Sequence, residues 1–257
     1  MVLEIPEQTQ DLGFVIDGLG AHSGRTIMLK DLKLLFSSCS ANSQLDDYKY
    51  AIINDNILLK KSGSSRKEAF IRLKRLYGLE TNLLLFRVFR HLWDKDTSSQ
   101  PLLTILYAIT RDPILRSSVE IILNSNISQV LFAKDFEAVV DNRFPNQFTK
   151  ISLSSIGRNI SSSWSQSGHL KGRSIKTRVQ VTSRSIPVMY ALFLGYLCGL
   201  RGENLFNTDW VKLLDTPRYE LFLKAQTASQ QGWLEFRQSG SITDISFNYF
   251  LKGVKYE

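Results

Sequence analysis

A run of apolar residues at positions 186–200 (IPVMYALFLGYLCGL) constrains the fold more than any other feature of the chain. As an α-helix, this run would extend about 22 Å at 1.5 Å per residue, less than the roughly 30 Å hydrocarbon core of a bilayer. A helix that is apolar on all sides is typical of a protein core. We therefore expect a buried central helix. Because the acidic start MVLEIPEQTQ is also unlike a secretory signal, we expect a cytoplasmic protein with no membrane partner.

Composition excludes several classes of protein. Hydrophobic residues make up 43% of the 257 positions and charged residues 22%, as in ordinary globular chains and unlike disordered ones. Two cysteines and three histidines are too few for a disulfide framework or a structural zinc site. We therefore predict no metal, no cofactor and no small-molecule substrate.

Positive charge is concentrated in two zones of the sequence. Residues 142–202 contain nine Lys and Arg and no Asp or Glu, while residues 60–90 contain nine Lys and Arg and two Glu. The whole chain carries a net charge of only +8, so the remainder is acidic. Such zones are typical of proteins that bind polyanions, and we predict double-stranded DNA as the partner.

The basic zone nearer the N-terminus lies mainly on the third of three predicted helices, at residues 27–36, 45–55 and 66–77. Ser65 and Glu68 have the spacing of a capping box at the start of the third helix, and Gly78 suits its end. The arc opposite its apolar stripe carries the first group of predicted DNA contacts: Lys67, Arg72, Lys74 and Arg75. This pattern is compatible with a helix-turn-helix unit, although any small helical domain can show it.

Four further helices are predicted at residues 82–93, 101–111, 113–124 and 128–141, with Ser128 as the N-cap of the last. Together with the first three they make up a predicted N-terminal helical region, residues 1–145. The rest of the chain, residues 146–257, is predicted to form a second region.

A serine-rich helix is predicted from residue 150. Its buried stripe is formed by residues at helical spacing: Leu153, Ile156, Ile160 and Trp164. The opposite arc holds Arg158 and four short hydroxyls: Ser154, Ser161, Ser162 and Ser165. Short hydroxyl side chains let a helix approach DNA closely and bond to phosphates and base edges. We predict DNA contacts from four of these residues, namely Ser154, Arg158, Ser162 and Ser165. A serine-rich helix with no partner is the alternative.

A basic β-hairpin is predicted directly after this helix. β-branched residues alternate along residues 174–183, which indicates a strand, and a shorter partner strand is expected at residues 169–171. A helix, a tight turn and a basic hairpin have the layout of a winged helix-turn-helix, whose wing contacts the sugar–phosphate backbone beside the groove. The predicted contacts of the wing are Lys171, Arg173, Lys176 and Arg178. A second hairpin is predicted from residues 233–237 and 242–247.

Four segments resemble the BrxA family: residues 64–79 (SSRKEAFIRLKRLYGL), 82–86 (NLLLF), 152–171 (SLSSIGRNISSSWSQSGHLK) and 191–202 (ALFLGYLCGLRG). BrxA proteins are small core components of bacteriophage-exclusion (BREX) defence systems. The resemblance implies a cytoplasmic DNA-binding protein without a catalytic motif. It also implies a mainly α fold with two helix-turn-helix-like units, here at residues 45–77 and 150–183, the second winged by a short β-hairpin.

These patterns favour non-catalytic DNA binding in a BREX-like defence system. His22, His91 and His169 have no neighbours in sequence that complete a catalytic set, and the most basic zone has no carboxylate for a metal-dependent nuclease. Two alternatives stay open because charge alone does not separate one polyanion from another. One is an adaptor whose basic surfaces bind acidic proteins of the defence complex, and the other is a transcriptional regulator of the defence operon.

Overall fold

The computed structural model describes residues 3–240 and 242–252, and its architecture confirms the predicted mainly α fold class. The α-helices, in chain order, are α1 (Leu29–Ser38), α2 (Leu45–Ile53), α3 (Gly63–Tyr77), α4 (Leu84–Trp93), α5 (Gln100–Arg111), α6 (Pro113–Ser117), α7 (Val119–Asn124), α8 (Ala133–Arg143), α9 (Lys150–Gln166), α10 (Ser185–Leu197), α11 (Asp209–Lys212), α12 (Arg218–Gln230) and α13 (Asn248–Leu251). Short 3-10 helices span Glu7–Leu12, Ala21–Ser23, Thr97–Ser99 and Gly202–Asn207. The strands are β1 (Val130–Leu131), β2 (Leu170–Lys171), β3 (Lys176–Arg178), β4 (Glu235–Ser239) and β5 (Ile242–Ser246).

The predicted apolar helix forms the centre of the molecule as α10. Its residues are buried continuously from Ile186 to Gly195, and it packs against α5, α11 and α12. The helix ends at Leu197, earlier than predicted, and the chain then turns at Gly199 with a φ of 90°. Within residues 3–240 and 242–252, no helix is both long enough and apolar enough to cross a membrane.

Aromatic side chains from α1, α4, α5 and α10 meet in the core. The centroid of the Phe89 ring lies 4.5 Å from that of Tyr107 and 6.4 Å from that of Tyr190. Phe36 adds to the cluster with an edge-on contact to Trp93 at 5.1 Å. Because Tyr190 belongs to α10, the apolar core extends from the first predicted region, residues 1–145, into the second.

The three predicted helices at residues 27–36, 45–55 and 66–77 are confirmed as α1, α2 and α3. The start of α3 needs one correction. Its N-cap is Ser62, whose hydroxyl accepts the backbone N–H of Ser65 at 3.2 Å. The predicted capping pair of Ser65 and Glu68 is wrong, because the Glu68 carboxylate accepts a hydrogen bond from Arg72 instead. Gly78 follows the helix with a φ of 76°, as its predicted role requires.

The predicted helices at residues 113–124 and 128–141 both need correction. The first is interrupted at Ser118 and forms α6 and α7. Ser128 is not an N-cap: its φ is 72°, and its N–H donates to the carbonyl of Arg178. The next residues form strand β1, because they pair with β3 of the wing, which is distant in sequence. Helix α8 then begins at Ala133, where the Asp135 carboxylate accepts the N–H of Phe132 at 2.7 Å.

Elements α7, β1, α8, α9, β2 and β3 follow one another in the order of a winged helix-turn-helix. Strand β3 lies between β1 and β2 in an antiparallel sheet, with Leu170 opposite Arg178. The strand is shorter than residues 174–183, because beyond Arg178 the N–H of Val181 donates to the Asp215 carboxylate rather than to a strand. The second hairpin is confirmed as the antiparallel pair β4 and β5.

Candidate nucleic-acid interface

Helix α9 is anchored by the apolar stripe expected from its sequence. Ile156, Ile160 and Trp164 are fully buried, and Leu153 is nearly so. The indole N–H of Trp164 also donates to the Ser118 hydroxyl at 2.8 Å, which ties α9 to the start of α7. The opposite side of α9 is therefore held toward solvent.

Helix α9 approaches α8 closely at Gly157. A Cβ atom at this position would lie 2.5 Å from the carbonyl oxygen of Ala133, so only glycine fits. Ser161, one turn further along α9, is also buried. Its assignment to the outer arc is wrong, because it lies on the side of the helix that α8 covers.

Beyond the first turn of α9, its exposed arc presents one cation among hydroxyl groups. Arg158 is exposed, while Ser154, Ser162 and Ser165 are half-buried. The Nη1 atom of Arg158 donates to the Ser154 hydroxyl at 2.7 Å, and the rest of the guanidinium fork is available for a phosphate. The structure thus brings all four residues predicted on α9 to one accessible arc.

The wing extends from the end of α9 as a short basic loop. Gly172 has a φ of 119°, and a Cβ there would lie 2.1 Å from the Ile175 carbonyl oxygen, so the turn is tight. Lys171 and Arg173 are exposed. Lys176 is half-buried, and this burial lowers the pKa of its ammonium group. Lys171 and Arg173 are therefore the wing cations best placed for a phosphate.

Arg178 was predicted to contact DNA, and this prediction is wrong. Its side chain is only 3% exposed. Its Nη2 atom lies 2.6 Å from a carboxylate oxygen of Asp215, and its Nε atom donates to the carbonyl of Ile122 at 3.4 Å. Arg178 therefore holds the base of the wing against the chain before α12, and its guanidinium is out of reach of a ligand.

On α3, three of the four predicted contacts are exposed around the equally exposed Ile71: Lys67, Lys74 and Arg75. The ammonium of Lys74 lies 3.7 Å from the Glu80 carboxylate. Arg72 lies on the neighbouring arc, where its Nε atom donates to Glu68 at 2.6 Å. That hydrogen bond and the charge of Arg72 lower the pKa of Glu68. Lys67 and Arg75 are thus the α3 cations whose positive charge is least offset by nearby carboxylates.

A segment that the sequence patterns did not single out joins α3 to α9. We name residues 20–29 the strap. Within it, His22 is fully buried, with Nδ1 2.8 Å from Oδ2 of Asp112 and Nε2 2.8 Å from Oγ of Ser163 on α9. Gly20 lies so close to Asp112 that a Cβ would meet Oδ1 at 1.9 Å. No local sequence signal reveals this contact, because the partners of His22 are 90 and 141 positions away.

Asp112, His22 and Ser163 resemble a hydrolytic triad in residue type but not in accessibility. All three are buried, and the Ser163 hydroxyl donates to the carbonyl of Asn159 at 2.8 Å. The hydroxyl therefore has no access to a substrate and does not donate to an imidazole base. Burial alone would raise the pKa of the Asp112 carboxyl, but the charge and hydrogen bond of His22 hold it below its usual value. The arrangement is a buried clamp.

The other two histidines also serve packing. The ring of His91 contacts the rings of Tyr249 and Phe250, and Nε2 of His169 lies 2.8 Å from the Leu213 carbonyl oxygen. Across the described part of the chain, no group of three or more His, Cys, Asp or Glu side chains is arranged to hold a metal ion.

Comparison with known proteins finds similarity at the level of the fold. No protein-family profile matches the chain, and no curated protein sequence matches it. A solved structure described as magnesium ion-bound SspB is similar over 92% of this chain and 85% of its own, with a TM-score of 0.55 and 11% sequence identity. At this identity the similarity concerns the fold alone.

Proposed function

We propose that this protein is a non-catalytic DNA-binding component of a BREX-like phage-defence system, as its resemblance to the BrxA family implies. The observation that carries the proposal is the set of exposed cations on α3, on α9 beyond its first turn and on the wing that have no carboxylate within 4 Å among the described residues: Lys67, Arg75, Arg158, Lys171 and Arg173. Phosphate neutralisation by such cations supplies most of the affinity of sequence-independent DNA binding.

The order of elements around α9 supports duplex DNA as the ligand. In helix-turn-helix proteins the second helix of the motif enters the major groove. Here α9 occupies that position after α8, and β2 and β3 form the adjoining wing. The hydroxyls of Ser154 and Ser162 then lie where they can bond to phosphates or base edges. Because serine bonds to several bases, we expect low sequence specificity.

A binding role without catalysis is consistent with the chemistry of the described residues. The contact between Asp112, His22 and Ser163 is closed to solvent. The magnesium named for SspB belongs to that protein, and among the residues described here no group of three or more His, Cys, Asp or Glu side chains is arranged to hold a metal ion. We propose a cytoplasmic location because duplex DNA, the proposed ligand, is found there.

A gel-shift series with purified protein alone tests the proposal. We expect a shift of a labelled duplex of about 20 base pairs, with weaker competition from single-stranded DNA and RNA of equal length. A preferred duplex sequence would favour transcriptional regulation of the defence operon. No shift of any duplex would refute the proposal and favour an adaptor that binds acidic proteins of the defence complex.

A further inference from the structure

The strap is bonded to both basic helices. From α9, Gln166 accepts the backbone N–H of Leu29 at 3.1 Å, and the Ser163 hydroxyl accepts that of Ile27 at 3.0 Å. From α3, the phenol of Tyr77 donates to the carbonyl of Ile27. One residue of the strap thus bonds to both helices, which fixes the position of α3 relative to α9.

The buried clamp makes this connection rigid. The imidazole of His22 links Asp112 to Ser163 in the interior, and the Asn159 amide donates to the His22 carbonyl at 3.2 Å. Separating the strap from α9 would leave several buried polar groups without hydrogen-bond partners, which is unfavourable. The clamp therefore fixes the strap on α9, and Tyr77 joins α3 to the same strap.

Arg25 lies on the strap between the two basic helices. It is exposed, and its charge contributes to lowering the pKa of Glu68 on α3, after the larger effects of Arg72. Its neighbour Gly24 faces the Arg72 guanidinium, since a Cβ there would lie 3.3 Å from Nη2. Glu68 balances only one of the two arginines, so the junction between the helices keeps a positive charge.

We infer that α3, the strap and α9 form one continuous cationic surface that binds a single duplex, and that Arg25 contacts a phosphate between the two helices. This inference rests on the proposed DNA-binding function and adds a contact residue and a stoichiometry to it. Two separate surfaces would instead hold two duplexes.

The first test replaces Arg25. Arg25→Ala removes one phosphate contact, so we expect about eightfold weaker duplex binding near 0.1 M salt and a salt slope smaller by about 0.9. Lys95→Ala is the matched control, because Lys95 is exposed at the end of α4, outside both basic zones. Circular dichroism and thermal unfolding of both variants check that the fold is kept. Equal binding by the two variants would overturn the inference while leaving the proposed function intact.

The second test measures stoichiometry. A duplex labelled with a donor dye and one labelled with an acceptor dye are mixed with the full-length protein. We expect saturation at one duplex per protein and no energy transfer between the duplexes. Energy transfer at saturation would show two separate sites and would overturn the inference. If the wild-type protein binds no duplex in any assay, both the inference and the proposed function fall.

Discussion

Duplex binding should weaken steeply with salt, to an extent set by the number of exposed cations on the proposed surface. Six cations qualify on α3, the strap, the wing and α9 beyond its first turn, none with a carboxylate within 4 Å among the described residues: Arg25, Lys67, Arg75, Arg158, Lys171 and Arg173. Each neutralised phosphate contributes about −0.9 to the slope of log K against log salt, so six predict a slope of about −5.4. Affinity should therefore fall about 2000-fold between about 50 and 200 mM salt.

One substitution on α9 makes this prediction specific. Arg158→Ala removes the only cation from the exposed arc of that helix between its first turn and the wing. The slope should decrease to about −4.5, with affinity about eightfold lower near 0.1 M salt. Among the residues that the structure describes, Arg158 bonds only to Ser154 on the exposed side of its own helix. Its replacement should therefore change the free energy of unfolding by less than about 0.5 kcal/mol.

Fluorescence anisotropy of a labelled duplex at several salt concentrations measures the slope directly, with Lys95→Ala as the control. The decisive quantity is the difference between the salt slopes of the two variants, since both variants remove one exposed positive charge. A wild-type slope near zero would refute phosphate neutralisation as the source of affinity. An Arg158→Ala slope equal to that of Lys95→Ala would remove α9 from the interface.

Three further predictions concern the scaffold of this surface. Arg178→Met should lower the free energy of unfolding by about 3 kcal/mol, because Asp215 loses its buried partner, and should leave the salt slope unchanged; urea unfolding and anisotropy together measure both. Gly157→Ala should destabilise by about 1–3 kcal/mol in thermal unfolding, because the added methyl meets the backbone of α8, whereas alanine in an uncrowded helix would stabilise. Burial lowers the pKa of His169 to about 4. As the pH falls, the His169 imidazole is therefore protonated in the unfolded chain before it is protonated in the folded protein. Stability measured by urea unfolding should fall by up to about 3 kcal/mol as the pH drops from about 6.5 to about 4, and a His169→Gln variant should lose less.

Periodic patterns with local causes were predictable from the sequence. The buried stripe of α9, the apolar α10 and the wing hairpin all follow from side-chain spacing or from turn residues close in the chain. The prediction that Arg158, Ser154, Ser162 and Ser165 share one accessible arc of α9 was correct for the same reason. Ser161 was misplaced because helical spacing does not reveal that α8 covers one flank of the helix.

Features that depend on distant partners were not predictable. Strand β1 has only two residues, and it exists because β3 lies beside it. Arg178 resembles the other wing cations in sequence, and only the position of Asp215 makes it a buried ion pair. The strap is the clearest case, since His22 has no sequence neighbour that announces its two partners.

The His22 clamp has a practical consequence for anyone cutting this chain into pieces. Its three side chains come from the first 25 residues, from position 112 near the middle of the chain, and from the winged unit. A fragment that keeps α9 and the wing but lacks the opening residues would expose the Ser163 side of the helix to water. The remaining fragment would keep the His22–Asp112 pair but would leave Nε2 of the His22 imidazole without its Ser163 partner. Neither piece should fold well alone, so the opening loop belongs in every shortened version of this protein.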